Sequence, residues 1–245
     1  MEASGSESAL EVAEGLSKMS VVDDSFCVTS PTEITVRKKY CGVFLKQRYK
    51  ALDVNGNLLF QVDGSSLDVR KKRIMRDAAG SPILTMREKI NLKSLRHRWM
   101  VHKGRSSEEK DLIFGVQRSH PLDMKPRLDV FMATNINEAI SSFQLVGSHI
   151  ENSCKVYKGD TVIAEVIDVY PRNNFSNWTE SFRVKINAGV DYAFIVALLV
   201  ILTINGERDP ITYTMNLLIL INLSSDYSTR CAFTTNMTEN ELLKN

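Results

Sequence analysis

The chain has 245 residues, 43% of them hydrophobic and 24% charged, with a net charge of only +2. That length and apolar content support one sizeable core, a single domain with tails rather than two domains. Cys27, Cys41, Cys154 and Cys231 stand singly, with no CxxC pair and no histidine at metal-ligand spacing, so a metal-centred protein is excluded and reduced, structural thiols are expected.

In chain order, residues 1–33 are rich in Ser, Glu and Ala and read as a disordered acidic leader. Its start, MEASGSESALEVAEG, lacks the positive and apolar regions of a secretory signal, so an intracellular, cytoplasmic location is expected. The N-x-S/T triplets at Asn174, Asn177, Asn222 and Asn236 are then chance matches.

From Glu33 short apolar stretches alternate with Gly, Asn and Asp. In Tyr49–Gly64 the dipeptide Asn55-Gly56 predicts a tight hairpin turn, because both residues tolerate positive φ. The same grammar returns in Arg73–Lys89 around Gly80, in Arg98–Ser119, and in Phe143–Asp168, where Lys158-Gly159-Asp160 makes the turn. Hairpins at this spacing predict an antiparallel meander of roughly ten to twelve strands that closes to remove its edges. A barrel that wide cannot be filled by its own side chains and needs a plug.

Val190–Ile204, VDYAFIVALLVILTI, supplies it. A run so uniformly apolar has no face for water and lies inside protein or inside lipid. It is short of the roughly 20 residues that span a bilayer, and Asp191, Glu207, Arg208 and Asp209 bound it, so a helix buried by the strands is predicted. Residues 210–245 carry one short apolar run, Leu217–Ile221, and then a polar tail without period; they read as an atypical C-terminal segment.

The charge is lopsided. Between Arg37 and Val130 stand 22 Lys and Arg against 10 Asp and Glu, while the remainder is acidic. Either this half meets an anionic surface, or its charges protect strand edges from aggregation. The densest cluster, Arg70, Lys71, Lys72 and Arg73 with Arg76 close by, is the candidate site for acidic phospholipid headgroups or another polyanion, and also suits nuclear import. A more diffuse basic stretch runs from Arg87 to Arg105 with no nucleic-acid-reading motif. Asp53, Asn55 and Asn57 resemble the start of a calcium loop, but Gly56 is fourth rather than sixth and Gly64 stands where a bidentate Glu is needed, so a hairpin turn is expected. Four histidines and four cysteines form no local catalytic signature, and no enzyme activity, cofactor or metal is expected.

The blocks ALDVNGNLLFQVDG, RDAAGSPILTMREK, HRWMVHKG with DLIFGVQRS, RLDVFMATN, FQLVGSHIENSCKVYKGD and INAGVDYAFIVALLVILTIN, in this order over Thr35–Asn205, resemble the plant LURP-one-related family. That family belongs with the tubby C-terminal domains and phospholipid scramblases. The resemblance implies a closed antiparallel barrel of about twelve strands around a central hydrophobic C-terminal helix, here residues 34–209. For function it implies a non-enzymatic intracellular module related to membrane-tethered transcription regulators, in plant defence, peripheral at the plasma membrane or nuclear. No tubby headgroup-binding residue maps onto a particular position of this chain. The alternatives are a scramblase-like protein with Val190–Ile204 inserted in lipid, and a nuclear regulator imported through the basic cluster.

Overall fold

A sheet of short hairpins leaves two rows of unpaired backbone groups unless its first and last strands meet. In the computed structural model, which describes residues 18–41, 46–65, 72–91, 96–119, 127–135, 140–147, 154–171 and 180–206, they do meet. The strands are β1 (Thr32–Cys41), β2 (Lys46–Leu52), β3 (Leu58–Ser65), β4 (Arg73–Asp77), β5 (Pro82–Asn91), β6 (Arg96–Lys103), β7 (Leu112–Arg118), β8 (Arg127–Met132), β9 (Phe143–Val146), β10 (Lys155–Lys158), β11 (Thr161–Pro171) and β12 (Glu180–Ile186). Each pairs antiparallel with the next, and β12 closes on β1 through Thr32–Lys38. The predicted turn at Asn55-Gly56 joins β2 to β3: the Asp53 carboxylate accepts from the N–H groups of Asn55 and Asn57, and Gly56 takes a φ of 84°. The Asp53 oxygens serve the turn, as expected of a hairpin rather than a calcium loop.

The helix α1 (Tyr192–Gly206) follows β12. The barrel and α1 as far as Leu202 form one compact unit, and Thr203–Gly206 are the described part of a second. From Ala193 to Leu202 no residue is more than 1% exposed. Ile195, Val196, Val200 and Ile201 are β-branched and lose side-chain freedom in a helix, but burial of the whole circumference outweighs that propensity. Phe194 meets Phe114 edge-on at 5.2 Å and Phe143 at 4.8 Å, tying the helix to β7 and β9. Among the described residues no helix is long and apolar enough to cross a membrane. The apolar run therefore lies among strands, and the lipid-inserted alternative would require the barrel to open.

The leader departs from expectation. Residues 18–31 are not a disordered extension: Met19 bridges Val190, Cys27 bridges Asp191, and Asp24–Phe26 form a short 3-10 turn. Composition marked this stretch as polar, yet Met19, Val21, Val22 and Phe26 lie within it, and its backbone partners sit some 170 positions away. β1 also starts at Thr32, two residues before the anticipated boundary. The predicted tail, residues 210–245, lies outside the described residues.

Candidate functional site

Successive strand residues point to opposite faces of the sheet. In β1, Ile34, Val36 and Lys38 are buried, which leaves Glu33, Thr35, Arg37 and Lys39 outward; in β2, Gln47, Tyr49 and Ala51 are buried, which leaves Arg48 and Lys50 outward. The β1–β2 register sets Arg37 opposite Lys50 and Lys39 opposite Arg48. Directly opposed residues have Cβ atoms about 4.5–5.5 Å apart, and like charges so placed are destabilising. Gln61 then faces Lys50 on one side and Arg76 on the other, so the row Arg37–Lys50–Gln61–Arg76 crosses β1 to β4. Asp63 is the counter-charge here, accepting from Arg48 Nε at 2.8 Å. Further round, Lys89 of β5 faces Arg98 of β6. Arg98 reaches across the bare backbone of Gly115, where a Cβ would come within 2.6 Å of its Nη2, and sets its guanidinium 6.0 Å from the centre of the Phe131 ring. His102, on the same outer face, is buried; desolvation and then the Arg87 charge hold its imidazole below the ordinary value.

The cluster picked out from sequence is divided by the same alternation. Arg70 and Lys71 lie outside the described residues. Lys72 is half-buried just before β4, and Arg76 is half-exposed, donating from Nη1 to the Gly80 carbonyl at 3.3 Å. Arg73 corrects the expectation, being 1% exposed on the inward face with Met75. Its side chain crosses Gly64 of β3, where a Cβ would lie 2.2 Å from Arg73 Cδ, and Nη2 donates to Gln47 Oε1 of β2 at 2.9 Å. Buried Lys38 reaches half-buried Glu180 across the β1–β12 seam, with 3.5 Å between Nζ and Oε2. Arg73 is therefore an interior residue, and a contiguous run of basic residues in a strand cannot form one outward patch. What the run obscured was Arg37, Lys39, Arg48 and Lys50, two apart on two strands; the signal for them was the alternation with Val36, Tyr49 and Ala51.

The rest of the wall is built differently. Lys155 faces Glu165 with 3.4 Å between charged atoms, Asp168 faces and pairs with Arg183, and Glu33 faces Lys185 while lying 3.7 Å from Arg183. For covalent chemistry the described groups offer little. Burial pushes the Cys154 thiol up to about 12 and raises that of Cys27, so neither is a ready thiolate at neutral pH. No group of three or more His, Cys, Asp or Glu among the described residues is placed to hold a metal ion.

Comparison with known proteins matches residues 32–203 to the model of the LURP-one-related family. The chain is 40% identical to Protein LURP-one-related 14 of Arabidopsis thaliana over 76% of its own length and 91% of that protein. It is 38% identical to LURP-one-related 10 over 77% and 98%, and 33% identical to Protein LURP1 over 74% and 87%, both also of Arabidopsis thaliana. Among solved structures it is similar to the X-ray structure of an Arabidopsis thaliana protein, at 31% identity and a TM-score of 0.58, covering 76% of this chain and 98% of that one.

Proposed function

The chain belongs to the LURP-one-related family, and from that premise we propose that it is a non-enzymatic binding module whose basic outer face meets acidic phospholipid headgroups. The observation that carries the reading is the register of like charges: Arg37 against Lys50, Lys39 against Arg48 and Lys89 against Arg98. Each opposition costs the folded chain stability, and an anionic surface offsets that cost while gaining about 1 kcal/mol per basic residue brought near it. Protection of strand edges, the other account of these charges, loses its premise where the barrel closes on itself. In this reading the module is peripheral at the cytoplasmic side of a membrane, and the tubby-like and scramblase-like kinship and the role in plant defence are parts of the proposal.

The test is flotation of the full chain with neutral phosphatidylcholine vesicles and with vesicles carrying phosphatidylserine or phosphoinositide, at low and physiological salt. Flotation is expected with acidic vesicles alone and weakens as salt rises. Replacing Arg37, Lys39, Arg48 and Lys50 together by Gln removes about 1 kcal/mol each and cuts partitioning roughly a hundred- to a thousandfold. Equal flotation with neutral vesicles, or binding indifferent to salt and to the quadruple variant, overturns it.

A further inference from the structure

Asp191 is fully buried at the start of α1, and its two carboxylate oxygens do separate work. Oδ1 accepts from the N–H groups of Ala193 and Phe194 at 2.9 and 3.1 Å, capping the helix. Oδ2 accepts from the N–H groups of Val21, Val22 and Asp23 at 3.2, 2.7 and 3.3 Å, all on the leader. Burial raises this carboxyl, and the backbone donors oppose the rise. Backbone bonds flank the anchor: Met19 N–H donates to the Gly189 carbonyl at 2.8 Å and Val28 N–H to the Val190 carbonyl at 3.1 Å. Phe26 closes the arrangement, edge-on to Phe60 of β3 at 5.3 Å and to Tyr192 of α1 at 5.6 Å. Eleven residues, Lys18–Val28, thus pack as a strap on the β12–α1 junction without belonging to a named strand of the barrel.

Ser20 lies on this strap, directly before the three residues whose N–H groups hold Asp191. It is exposed, and the next residue is the first to donate to the Asp191 carboxylate. The strap also carries Asp23, whose N–H bonds Asp191, and Asp24, which lies 2.9 Å from Lys18 Nζ. Asp23 and Asp24 follow three and four residues on, the acidic context that an acid-directed protein kinase reads.

We propose that Lys18–Val28 is a latch and that phosphorylation of Ser20 opens it. In the step, the γ-phosphoryl group of ATP forms a bond to Ser20 Oγ, ADP leaves with the electrons of the broken P–O bond, and the hydroxyl proton passes to the kinase's base. The product carries about −1.5 to −2 charge at neutral pH, set beside carboxylates that already outnumber the local cation. It adds to the negative charge of Asp23 and Asp24 and repels the Asp191 carboxylate that holds the strap, drawing Phe26 away from Phe60 and Tyr192.

Hydrogen exchange of the full chain, followed by mass spectrometry, tests both parts. Asp191→Asn keeps one oxygen for the helix cap but turns an –NH2 toward three leader N–H groups, so exchange over residues 19–28 should quicken by roughly tenfold or more while β1–β12 stay protected. Protein with phosphoserine installed at position 20 should do the same, and Ser20→Ala should match the wild type. Unchanged protection over 19–28 in Asp191→Asn overturns the latch. Unchanged protection in the phosphoserine protein, with Asp191→Asn released, overturns Ser20 as its switch. Phe26→Ala, which removes an aromatic contact and no backbone bond of the anchor, should give an intermediate acceleration and guards against an Asp191 variant that fails to fold.

Discussion

On the β1–β6 side of the barrel Arg37 faces Lys50, Lys39 faces Arg48 and Lys89 faces Arg98, whereas on the β10–β12 side and its seam with β1, Lys155 faces Glu165, Arg183 faces Asp168 and Lys185 faces Glu33. Both regions have the same strand geometry and the same solvent, and both cover the same helix. Opposed unlike charges add up to about 1 kcal/mol each and opposed like charges subtract a similar amount, so folding alone would favour the second arrangement everywhere. In the β1–β3 patch Arg48 pairs with Asp63 of β3. The difference teaches that the fold tolerates the basic wall rather than being made by it, and that the stability of both walls comes from the apolar interior they share.

The largest expected effect removes that shared interior. Leu198→Asp places an unpaired charge in α1 at a fully buried position, at a cost of several kcal/mol. Calorimetry should find no cooperative transition, and a wild-type melt would show that the walls stand without the plug. Next comes a pair of insertions that contrasts the inner and outer faces of the basic side. Gly64→Ala drives a Cβ into the mid-chain of buried Arg73 and should cost about 1–3 kcal/mol, whereas Gly115→Ala meets only the tip of Arg98, which can swing toward solvent, and should cost under about 1 kcal/mol. Equal denaturation midpoints would mean that Arg73 is not locked inside.

Smaller still are the exchanges of sign that test the two walls directly. Lys50→Glu should stabilise the chain by about 0.2–1 kcal/mol while weakening its flotation with acidic vesicles, and Glu165→Lys should destabilise it by a similar amount while leaving flotation intact or stronger. Shifts of the same sign for both variants would erase the distinction between the walls. The smallest effect concerns His102. Because burial holds its imidazole below the ordinary value of 6.5, the unfolded chain takes up a proton there before the folded chain does. Its contribution to stability is therefore complete above about pH 6.5 and is lost as pH falls toward the folded value. Melting temperatures of wild type and His102→Gln between pH 7 and 5 should diverge, the variant losing less; parallel curves would remove His102 from the acid response.

The barrel was legible because its signals are local. Asn55-Gly56 marks a turn by its own conformational tolerance, and Val190–Ile204 marks a buried helix by having no polar face at all. The candidate site was legible only as an excess of basic residues. Density along the chain pointed to Arg70–Arg76, but in a strand neighbours part company, and Arg73 went inside to Gln47 while Arg76 stayed out. The leader misled for a related reason, since a segment rich in Ser, Glu and Ala looks unable to fold by itself, and its anchor, Asp191, arrives at the other end of the domain.

By itself, then, the sequence determined the period-two strands, their turns, the apolar plug and the lopsided charge, because each is a property of a few consecutive residues and the solvent they prefer. The tertiary structure alone decided which charges oppose one another, which arginine is buried and what holds the leader. Those depend on register between distant strands and on a shared carboxylate, and a single-residue slip in register would have exchanged the inner face for the outer.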